Sequence, residues 1–390
     1  MNSESVPLVA NRIGPGAKRN ILHVITSLVT GGAERALVRL IAQSDRERFQ
    51  HLIVSLRDEG TQGAALLAAG AELETLRIVN HAGLSRAALK LTRIARRWRP
   101  NLVHGWMYHG NLAASLAGLA TGVPTIWGIR QSLHDLSDQP RATRWVIRMN
   151  ALLSAHPAAI LYNSRTACEH HEAYGYSRRR SAVIPNGFPP SLFTPLDPAE
   201  RRELRRGLGL ADGDLVFGAV ARNHRVKGYD LLIAAAAAVA ARTPNLRLVL
   251  CGPGTEMLVH DLPAPLRDRT LALGDRPDAS RVMHAFDVYV LSSRAEAFPN
   301  CVGEAMAAGV PVVANDVGDA AEILGGTGWM VPREDPVALV DAMLAASLAA
   351  DRQGRGEAAR ARVLDHYSLE RAVSAYGTLY DELIPQRGNA

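Results

Sequence analysis

Short apolar runs alternate with stretches of helical spacing along most of the chain. In the first half, the runs that predict strands are Ile21 to Ser27, His51 to Leu56, Asn101 to His104, Thr125 to Gly128 and Ala159 to Tyr162. Between them, apolar residues recur every three or four positions, which is typical of helices packed on a sheet. Strands that alternate with helices predict βαβ units and a parallel sheet.

A Pro-rich segment, 185–198, interrupts this alternation near the middle of the chain. Because proline fixes one backbone angle and lacks an amide donor, such a segment suits a linker. Six further apolar runs then follow: Leu215 to Val220, Leu246 to Leu250, Thr270 to Leu273, Val288 to Leu291, Pro311 to Ala314 and Trp329 to Val331. The pattern predicts two doubly wound α/β domains, at residues 19–190 and 191–365.

The two ends of the chain are predicted separately. Residues 1–18 contain Pro7 and Pro15 but no basic segment followed by an apolar core, so they predict a flexible tail and not a secretory signal. Residues 366–390 carry apolar residues at helical spacing, which predicts one amphipathic helix.

Composition limits the class of protein. With 390 residues the chain is long enough for two domains that each bury a core. It has no run of eighteen uncharged apolar residues, so no membrane-spanning helix is predicted. Cys168, Cys251 and Cys301 show neither paired nor metal-binding spacing, and an odd count argues against a disulfide framework. These features favour a cytoplasmic protein.

Basic residues are clustered although the net charge is only +6. The clusters are Arg93, Arg96, Arg97 and Arg99; Arg141, Arg144 and Arg148; and Arg178 to Arg180. These clusters could contact an anionic membrane surface or a pyrophosphate-linked acceptor. The more common explanation of such clusters is that they lie on solvent-exposed faces of helices. Nucleic acid is disfavoured because no interleaved aromatic residues accompany the charge.

Two glutamates flank a strand-to-helix turn in the second predicted domain. Glu296 follows the predicted strand 288–291, and Glu304 lies on the first turns of the next helix, for which Pro299 suits the first position. The helix dipole alone also favours glutamates near a helix start.

This turn also offers hydrogen-bond donors. The backbone N–H groups of Phe298, Asn300 and Cys301 would lie at the N-terminus of the helix, where partial positive charge favours phosphate or sugar oxygens. Acceptors and donors would then share one small concavity.

A second loop in the same domain carries cations. Arg222 and Lys227 follow the predicted strand 215–220 and precede a helix-like stretch. They could clamp a diphosphate, arginine by its planar fork and lysine as a point charge, although a basic loop is more often solvated.

Together, the Arg222 and Lys227 pair, the Glu296 and Glu304 pair, and the turn at Gly31, Gly32 and Glu34 closely resemble retaining glycosyltransferases of GT-B architecture, family 4. The resemblance extends from about Ile21 to Ile384. It implies two Rossmann-like domains facing across a cleft, an acceptor side in the first and a nucleotide-sugar side in the second. It also implies a terminal helix that crosses back onto the first domain and no metal requirement.

The resemblance also implies roles for these residues. Arg222 and Lys227 would stabilise the leaving diphosphate, with the N–H groups of Gly31 and Gly32 approaching it from the other domain. Glu304 would hold ribose hydroxyls, and Glu296 would face the transferred sugar. The segment 298–301, which includes Pro299, would fix the sugar hydroxyls.

The first domain departs from the family pattern. Many relatives place a histidine near the reacting sugar where this chain carries Arg130, and a permanently charged arginine is not a general base. Arg130 would instead bind the diphosphate or an acidic acceptor. His104 and His109 follow a predicted strand, and His109 is the second candidate on the acceptor side, although single histidines at such places are more often structural.

The leading hypothesis is a retaining transferase that moves a sugar from a nucleotide donor, UDP-sugar favoured, to a lipid-linked intermediate of a bacterial surface polysaccharide. One alternative is a synthase or phosphorylase that uses a small soluble acceptor. Another is a non-catalytic glycan-binding protein of the same fold. The donor base, the sugar, the acceptor and the linkage are not determined by these residues.

Overall fold

The computed structural model describes residues 18–29, 31–78, 84–134, 136 and 139–385. The predicted N-terminal tail lies outside these residues, apart from Lys18. The chain forms two compact units. The first unit runs to Gly187 and takes up the chain again from Leu369, and the second unit is Phe188–Ser368.

The described strands of the first unit form one parallel sheet. They are β1 (Arg19–Ile25), β2 (Phe49–Ser55), β3 (Glu72–Thr75), β4 (Leu102–Trp106), β5 (Thr125–Ile129), β6 (Ala159–Tyr162) and β7 (Ser181–Val183), in the order β3-β2-β1-β4-β5-β6-β7. The helices are α1 (Gly32–Gln43), α2 (Gly63–Ala68), α3 (Leu84–Trp98), α4 (Met107–Thr121), α5 (Arg141–Leu153) and α6 (Arg165–Ala173).

The apolar runs predicted as strands in this half are all present, and two further strands were missed. The missed strands are β3 and β7, which lie at the two edges of the sheet. β3 is half-exposed and carries Glu72 and Glu74, and β7 has only three residues. Edge strands are covered less completely than central ones, so they show no continuous apolar run.

The second unit contains a six-stranded parallel sheet in the described residues. Its strands are β8 (Leu215–Val220), β9 (Leu246–Cys251), β10 (Thr270–Ala272), β11 (Val288–Leu291), β12 (Val312–Asn315) and β13 (Trp329–Val331), in the order β10-β9-β8-β11-β12-β13. Its helices are α7 (Pro198–Gly207), α8 (Tyr229–Ala240), α9 (Ala264–Arg267), α10 (Ala279–Val282), α11 (Asn300–Ala307), α12 (Ala320–Leu324), α13 (Pro336–Leu348) and α14 (Arg352–His366). All six strands were predicted.

Local packing explains where the second unit begins and ends. The Phe188 amide donates to the Tyr367 carbonyl at 2.9 Å, and the Phe188 ring lies so close to Gly303 that a Cβ there would overlap it. These contacts tie residues 188–190, which sequence analysis assigned to the first domain, to the second unit. The last helix, α15 (Leu369–Leu383), packs in the first unit, where Tyr376 and Tyr380 are buried.

In both sheets the order in which successive strands are added reverses at an equivalent point. The order 3-2-1-4-5-6 places the reversal between β1 and β4 in the first unit, and between β8 and β11 in the second. In open α/β sheets, ligands bind outside the carboxyl ends of the strands at such a switch point. The loops that follow these four strands are therefore the places to look for a site.

Candidate active site

The loops after β8 and β11, at the switch point of the second unit, are bound to each other through their backbones. The Arg294 amide donates to the Val226 carbonyl at 2.7 Å, and the Ser292 hydroxyl donates to the Lys227 carbonyl at 3.0 Å. Gly228 has φ 64°, and a Cβ at this position would overlap the Ser292 carbonyl oxygen. Only glycine allows this approach without strain.

An ion pair links the two loops at the carboxyl edge of the sheet. Lys227 Nζ donates to Glu296 Oε1 at 2.6 Å, and the Ser293 hydroxyl donates to the same oxygen at 2.8 Å. Burial alone would lower the pKa of Lys227, but the adjacent Glu296 carboxylate outweighs it and raises the pKa above its ordinary value. Lys227 is therefore a fixed positive charge at neutral pH.

The predicted donor-side residues converge around this pair. Arg222 is exposed, and repulsion from its positive charge acts to lower the pKa of Lys227. Burial raises the pKa of the Cys301 thiol to about 11, and the nearby carboxylates of Glu296 and Glu304 act in the same direction. Lys227 acts in the opposite direction. The structure thus brings these five side chains together, and at neutral pH the thiol is protonated and unreactive.

The helix that carries Glu304 begins one residue later than predicted. α11 starts at Asn300, and Pro299 is the residue before it rather than the first helical residue. Phe298 is buried against the rings of Phe188 and Tyr367, so its side chain belongs to the core and only its backbone is available to a ligand. The Glu304 side chain is largely buried in the second turn of the helix.

Flanking loops fix the backbone of the two central loops. After β12, Gly318 has φ 57° and lies against the Ala297 carbonyl, which accepts from the Asp319 amide at 2.9 Å. After β9, Gly252 lies in the same way against the Ala221 carbonyl. Sequence reasoning missed Gly318, Gly252 and Ser293 as parts of the site. A glycine or serine that comes soon after a predicted strand is the feature of the sequence that could have identified them.

The switch point of the first unit presents the N-terminus of α1. Gly31 is the residue before the helix and Gly32 its first residue. The Glu34 carboxylate folds back into the space that a Cβ on Gly31 would occupy, and burial raises its pKa although Arg130 and Arg35 act in the opposite direction. A phosphate was predicted to bind next to Gly31, and the structure places the Glu34 carboxylate of the protein beside that position.

Arg130 is held by the first unit itself. Its guanidinium donates to the Tyr376 hydroxyl at 3.0 Å and to the Asn186 side chain, and it lies 5.4 Å from the centre of the Trp106 ring. These contacts attach α15 to the sheet. Binding of an acceptor or diphosphate by Arg130 stays a prediction.

His109 lies on a strained turn at the carboxyl end of β4. Met107, two residues earlier, has φ 62°, which costs a non-glycine residue about 1–3 kcal/mol. The Asn150 amide donates to the Tyr108 carbonyl at 2.9 Å, and the Tyr108 hydroxyl lies 3.1 Å from His171 Nε2. Neighbouring helices therefore hold the turn in place, and His109 is half-buried next to it.

A chain of buried histidines lies between this sheet and the helices α1 and α15. Indole N–H groups only donate, so Trp106 Nε1 donates to His23 Nδ1 at 3.0 Å. His23 Nε2 then carries the proton and donates to His51 Nδ1 at 3.0 Å, and His51 Nε2 donates to the Ser44 hydroxyl at 2.8 Å. Burial lowers the pKa of His23 well below its ordinary value and that of His51 to about 4, so both are neutral.

His104 belongs to this buried layer and not to a ligand site. It lies inside β4 rather than at its end, and its Nδ1 is 2.9 Å from the Tyr380 hydroxyl on α15. Burial lowers its pKa well below the ordinary value.

Comparison with known proteins agrees with this geometry. The models for "Glycosyltransferase Family 4" and "Glycosyl transferases group 1" match residues 30–192 and 214–347. The putative glycosyltransferase EpsF of Bacillus subtilis is 26% identical over 315 residues, which cover 77% of this chain and 80% of EpsF. The lipopolysaccharide core biosynthesis mannosyltransferase LpsB of Rhizobium meliloti is 29% identical over 263 residues, 64% of this chain and 71% of LpsB.

Solved structures share the fold. Anabaena Alr3699/HepE in complex with UDP superimposes with a TM-score of 0.79 at 21% identity, over 94% of this chain and all of HepE. A glycosyltransferase from Rickettsia africae gives a TM-score of 0.81 at 18% identity, over 96% of this chain and all of that protein. The fold is GT-B, as the resemblance in the sequence implied. The chain belongs to the group 1, family 4 glycosyltransferases.

Proposed function

We propose that this protein is a retaining glycosyltransferase that uses a nucleotide sugar, preferably a UDP-sugar, as its donor. The observation that carries the proposal is the Lys227–Glu296 ion pair at the switch point of the second unit, with Arg222 and Glu304 around it. The pair connects the loops after β8 and β11, where α/β sheets bind nucleotides.

The charges of this cluster suit the departure of a nucleoside diphosphate. Negative charge grows on the leaving phosphate as the bond to the sugar breaks, and positive groups aimed at it lower the barrier. Lys227 is held by Glu296, whose same oxygen also accepts from the Ser293 hydroxyl, and needs no reorganisation at that moment. Arg222 is exposed beside it and supplies a planar fork for a phosphate oxygen.

The two glutamates take different roles in this proposal. Glu304, on a helix and largely buried, accepts from the ribose hydroxyls. Glu296 orients Lys227 and faces the sugar. Because one Glu296 oxygen already accepts from Lys227 and Ser293, it is a weak nucleophile.

Retention is therefore best explained by attack on the face from which the diphosphate departs. The bond between the sugar C1 and the phosphate oxygen breaks, and a bond between C1 and the acceptor oxygen forms. The departing phosphate oxygen accepts the proton of the acceptor hydroxyl. This route needs no covalent sugar–enzyme intermediate.

The relatives support a donor and an acceptor class. The HepE structure contains UDP, which supports a UDP-sugar donor, and LpsB acts in lipopolysaccharide core biosynthesis, which supports a lipid-linked glycan acceptor of surface polysaccharide synthesis. A small soluble acceptor is the alternative. The proposed reaction requires no metal ion because Arg222 and Lys227 supply the positive charge.

A thermal-shift panel of UDP-, GDP- and ADP-sugars tests the donor. A ligand at about a hundred times its dissociation constant adds about 2.7 kcal/mol of stability. We expect one nucleotide class to raise the melting temperature, and Glu304→Ala to weaken that shift. Glu357→Ala, on the exposed face of α14, is the matched control and keeps it. If no donor of any class shifts the wild type, the non-catalytic alternative is favoured.

Acceptor and stereochemistry need separate assays. With the donor identified, we expect transfer to lipid-pyrophosphate glycans and none to free sugars, and an anomeric configuration by NMR that matches the donor. Transfer to soluble sugars alone would favour the synthase alternative. An inverted product would contradict retention.

A further inference from the structure

Three neighbouring helices of the first unit, α3, α4 and α5, carry cations without acids. Helices α3, α4 and α5 contain eight lysines and arginines and no aspartate or glutamate. Helices α1 and α15 carry three arginines and four acidic residues. The apolar residues of α1 and α15 and those of α3 and α4 contact alternate residues of β1 and β2, so the two sets cover opposite faces of the same sheet. The contrast is therefore between two sets of helices on opposite faces of one sheet.

Apolar side chains run through the middle of this basic face. α4 packs between α3 and α5, and it exposes Leu116 and Leu119. On α5 the exposed residues Arg141, Trp145, Arg148 and Leu152 follow each other at helical spacing, with Trp145 57% and Leu152 76% exposed. An isolated exposed leucine needs no explanation, but an apolar ridge bordered by cations is uncommon on a soluble surface.

Most of the α3 and α5 cations whose side chains the structure describes have no acidic side chain within ion-pair distance. Arg97 is the exception, since it pairs with Glu74. On α3, Lys90, Arg93 and Arg96 are exposed, and Arg96 donates to the Ala120 carbonyl of α4 at 3.5 Å. Leu89, 60% exposed, extends the ridge onto α3. In a face built only for solubility, charges of both signs would be interspersed.

We propose that this face, formed by α3, α4 and α5, docks the protein on an anionic lipid surface. The cations would lie at the level of the lipid phosphates, and Trp145, Leu116 and Leu119 would enter the boundary of the acyl chains. A polyanion such as nucleic acid would pair with the arginines but would leave the ridge in water. Among the described residues no helix has both the length and the hydropathy of a membrane span.

Vesicle binding tests the docking surface without any donor or acceptor, so its outcome is independent of the transferase reaction. We expect the full chain to float with phosphatidylcholine vesicles that contain phosphatidylglycerol, and to stay in solution with phosphatidylcholine alone. Each basic residue at such a surface is worth about fivefold in partitioning. Arg93→Gln combined with Arg148→Gln should therefore weaken partitioning about twenty-five-fold.

The matched control removes the same charge elsewhere. Arg242→Gln combined with Arg371→Gln neutralises two exposed arginines outside this face and should leave partitioning nearly unchanged. Trp145→Ala should weaken partitioning several-fold even at high salt, where the charges are screened. The proposal is overturned if the control pair weakens partitioning equally, or if the wild type does not bind anionic vesicles. Heparin binding that depends on Arg93 and Arg148, without vesicle binding, would assign the face to a polyanion instead.

Discussion

The two sheets share one strand order, yet their switch points differ in chemistry. In the second unit the loops after β8 and β11 carry an ion pair, with a further arginine and glutamate beside it. In the first unit the equivalent region has a carboxylate against Gly31, a strained turn at Met107 and neutral histidines inside the strands. The same topology therefore presents charge on loops in one unit and buried polar groups in the other.

This difference indicates a division of labour. Charges on loops that are bound to each other are available to a ligand and already in place, which suits the stabilisation of a leaving diphosphate. The histidine layer of the first unit is sealed under α1 and α15, so it supports the fold and cannot reach a substrate. We expect changes in the second unit to alter reaction rate and ligand binding, and changes in the histidine layer to alter stability.

The largest expected effect is on the reaction rate. Lys227→Ala removes the fixed cation from the proposed diphosphate site, and by analogy with a lost oxyanion donor it should raise the barrier by about 3 kcal/mol, on the order of a hundredfold in rate. The measurement is release of nucleoside diphosphate from the donor that the panel identifies. Arg225→Ala, in the same loop and exposed, should keep the wild-type rate. Equal rates for both variants would remove Lys227 from the mechanism.

The next effect tests the contact between the two loops. In Gly228→Ala the new Cβ would overlap the Ser292 carbonyl at a φ of 64°, which should destabilise the second unit by about 2–3 kcal/mol. Gly213→Ala is the control, because a Cβ there meets nothing within 4 Å. Denaturant unfolding measures both, and similar midpoints for the two variants would contradict the close approach of the loops.

The histidine layer predicts a pH dependence of stability. In His51, burial lowers the pKa to about 4, whereas the unfolded value is about 6.5. The unfolded chain therefore binds more protons, and the free energy of unfolding falls as the pH drops below about 6.5, by about 1 kcal/mol for this histidine down to pH 5.5. His51→Gln should flatten the curve measured by denaturation, and the exposed His156→Gln should not. A wild-type stability that is constant over this range would show that the layer is not neutral.

The smallest expected effect concerns the attachment of α15. Tyr380→Phe leaves His104 Nδ1 without its partner and should cost about 1–2 kcal/mol, while donor-dependent activity per folded molecule stays the same. Tyr174→Phe, at a half-buried tyrosine of the first unit, is the control. An equal melting temperature for the two variants would count against this bond, and a slower reaction without loss of stability would place Tyr380 in the site.

Sequence analysis predicted that the second-unit cluster would come together because its residues are local to strand ends. Arg222 and Lys227 follow one apolar run, and Glu296 follows another, so the βαβ pattern alone places them at one edge of the sheet. It did not show that Lys227 and Glu296 pair directly, because the pairing depends on the approach of two loops that Gly228 permits.

The first unit was less predictable for a different physical reason. His23 and His104 lie inside strands. The alternation of residues along a buried strand does not show whether a polar residue there is buried with hydrogen-bond partners. Their partners Trp106 and Tyr380 are distant in sequence, and Tyr380 lies 276 residues after His104. Sequence analysis therefore predicted the helix that carries Tyr380 but not the contact that it makes.

The proposed diphosphate site is tested most directly by isothermal titration calorimetry. UDP, GDP and ADP are titrated into the wild type, Arg222→Gln and the exposed control Arg202→Gln on α7. Since hydrogen bonds to charged groups contribute about 1.5–3 kcal/mol, we predict that one nucleotide binds the wild type and the control equally and Arg222→Gln at least tenfold more weakly. Equal affinity in all three proteins, or no binding of any nucleotide, would contradict it.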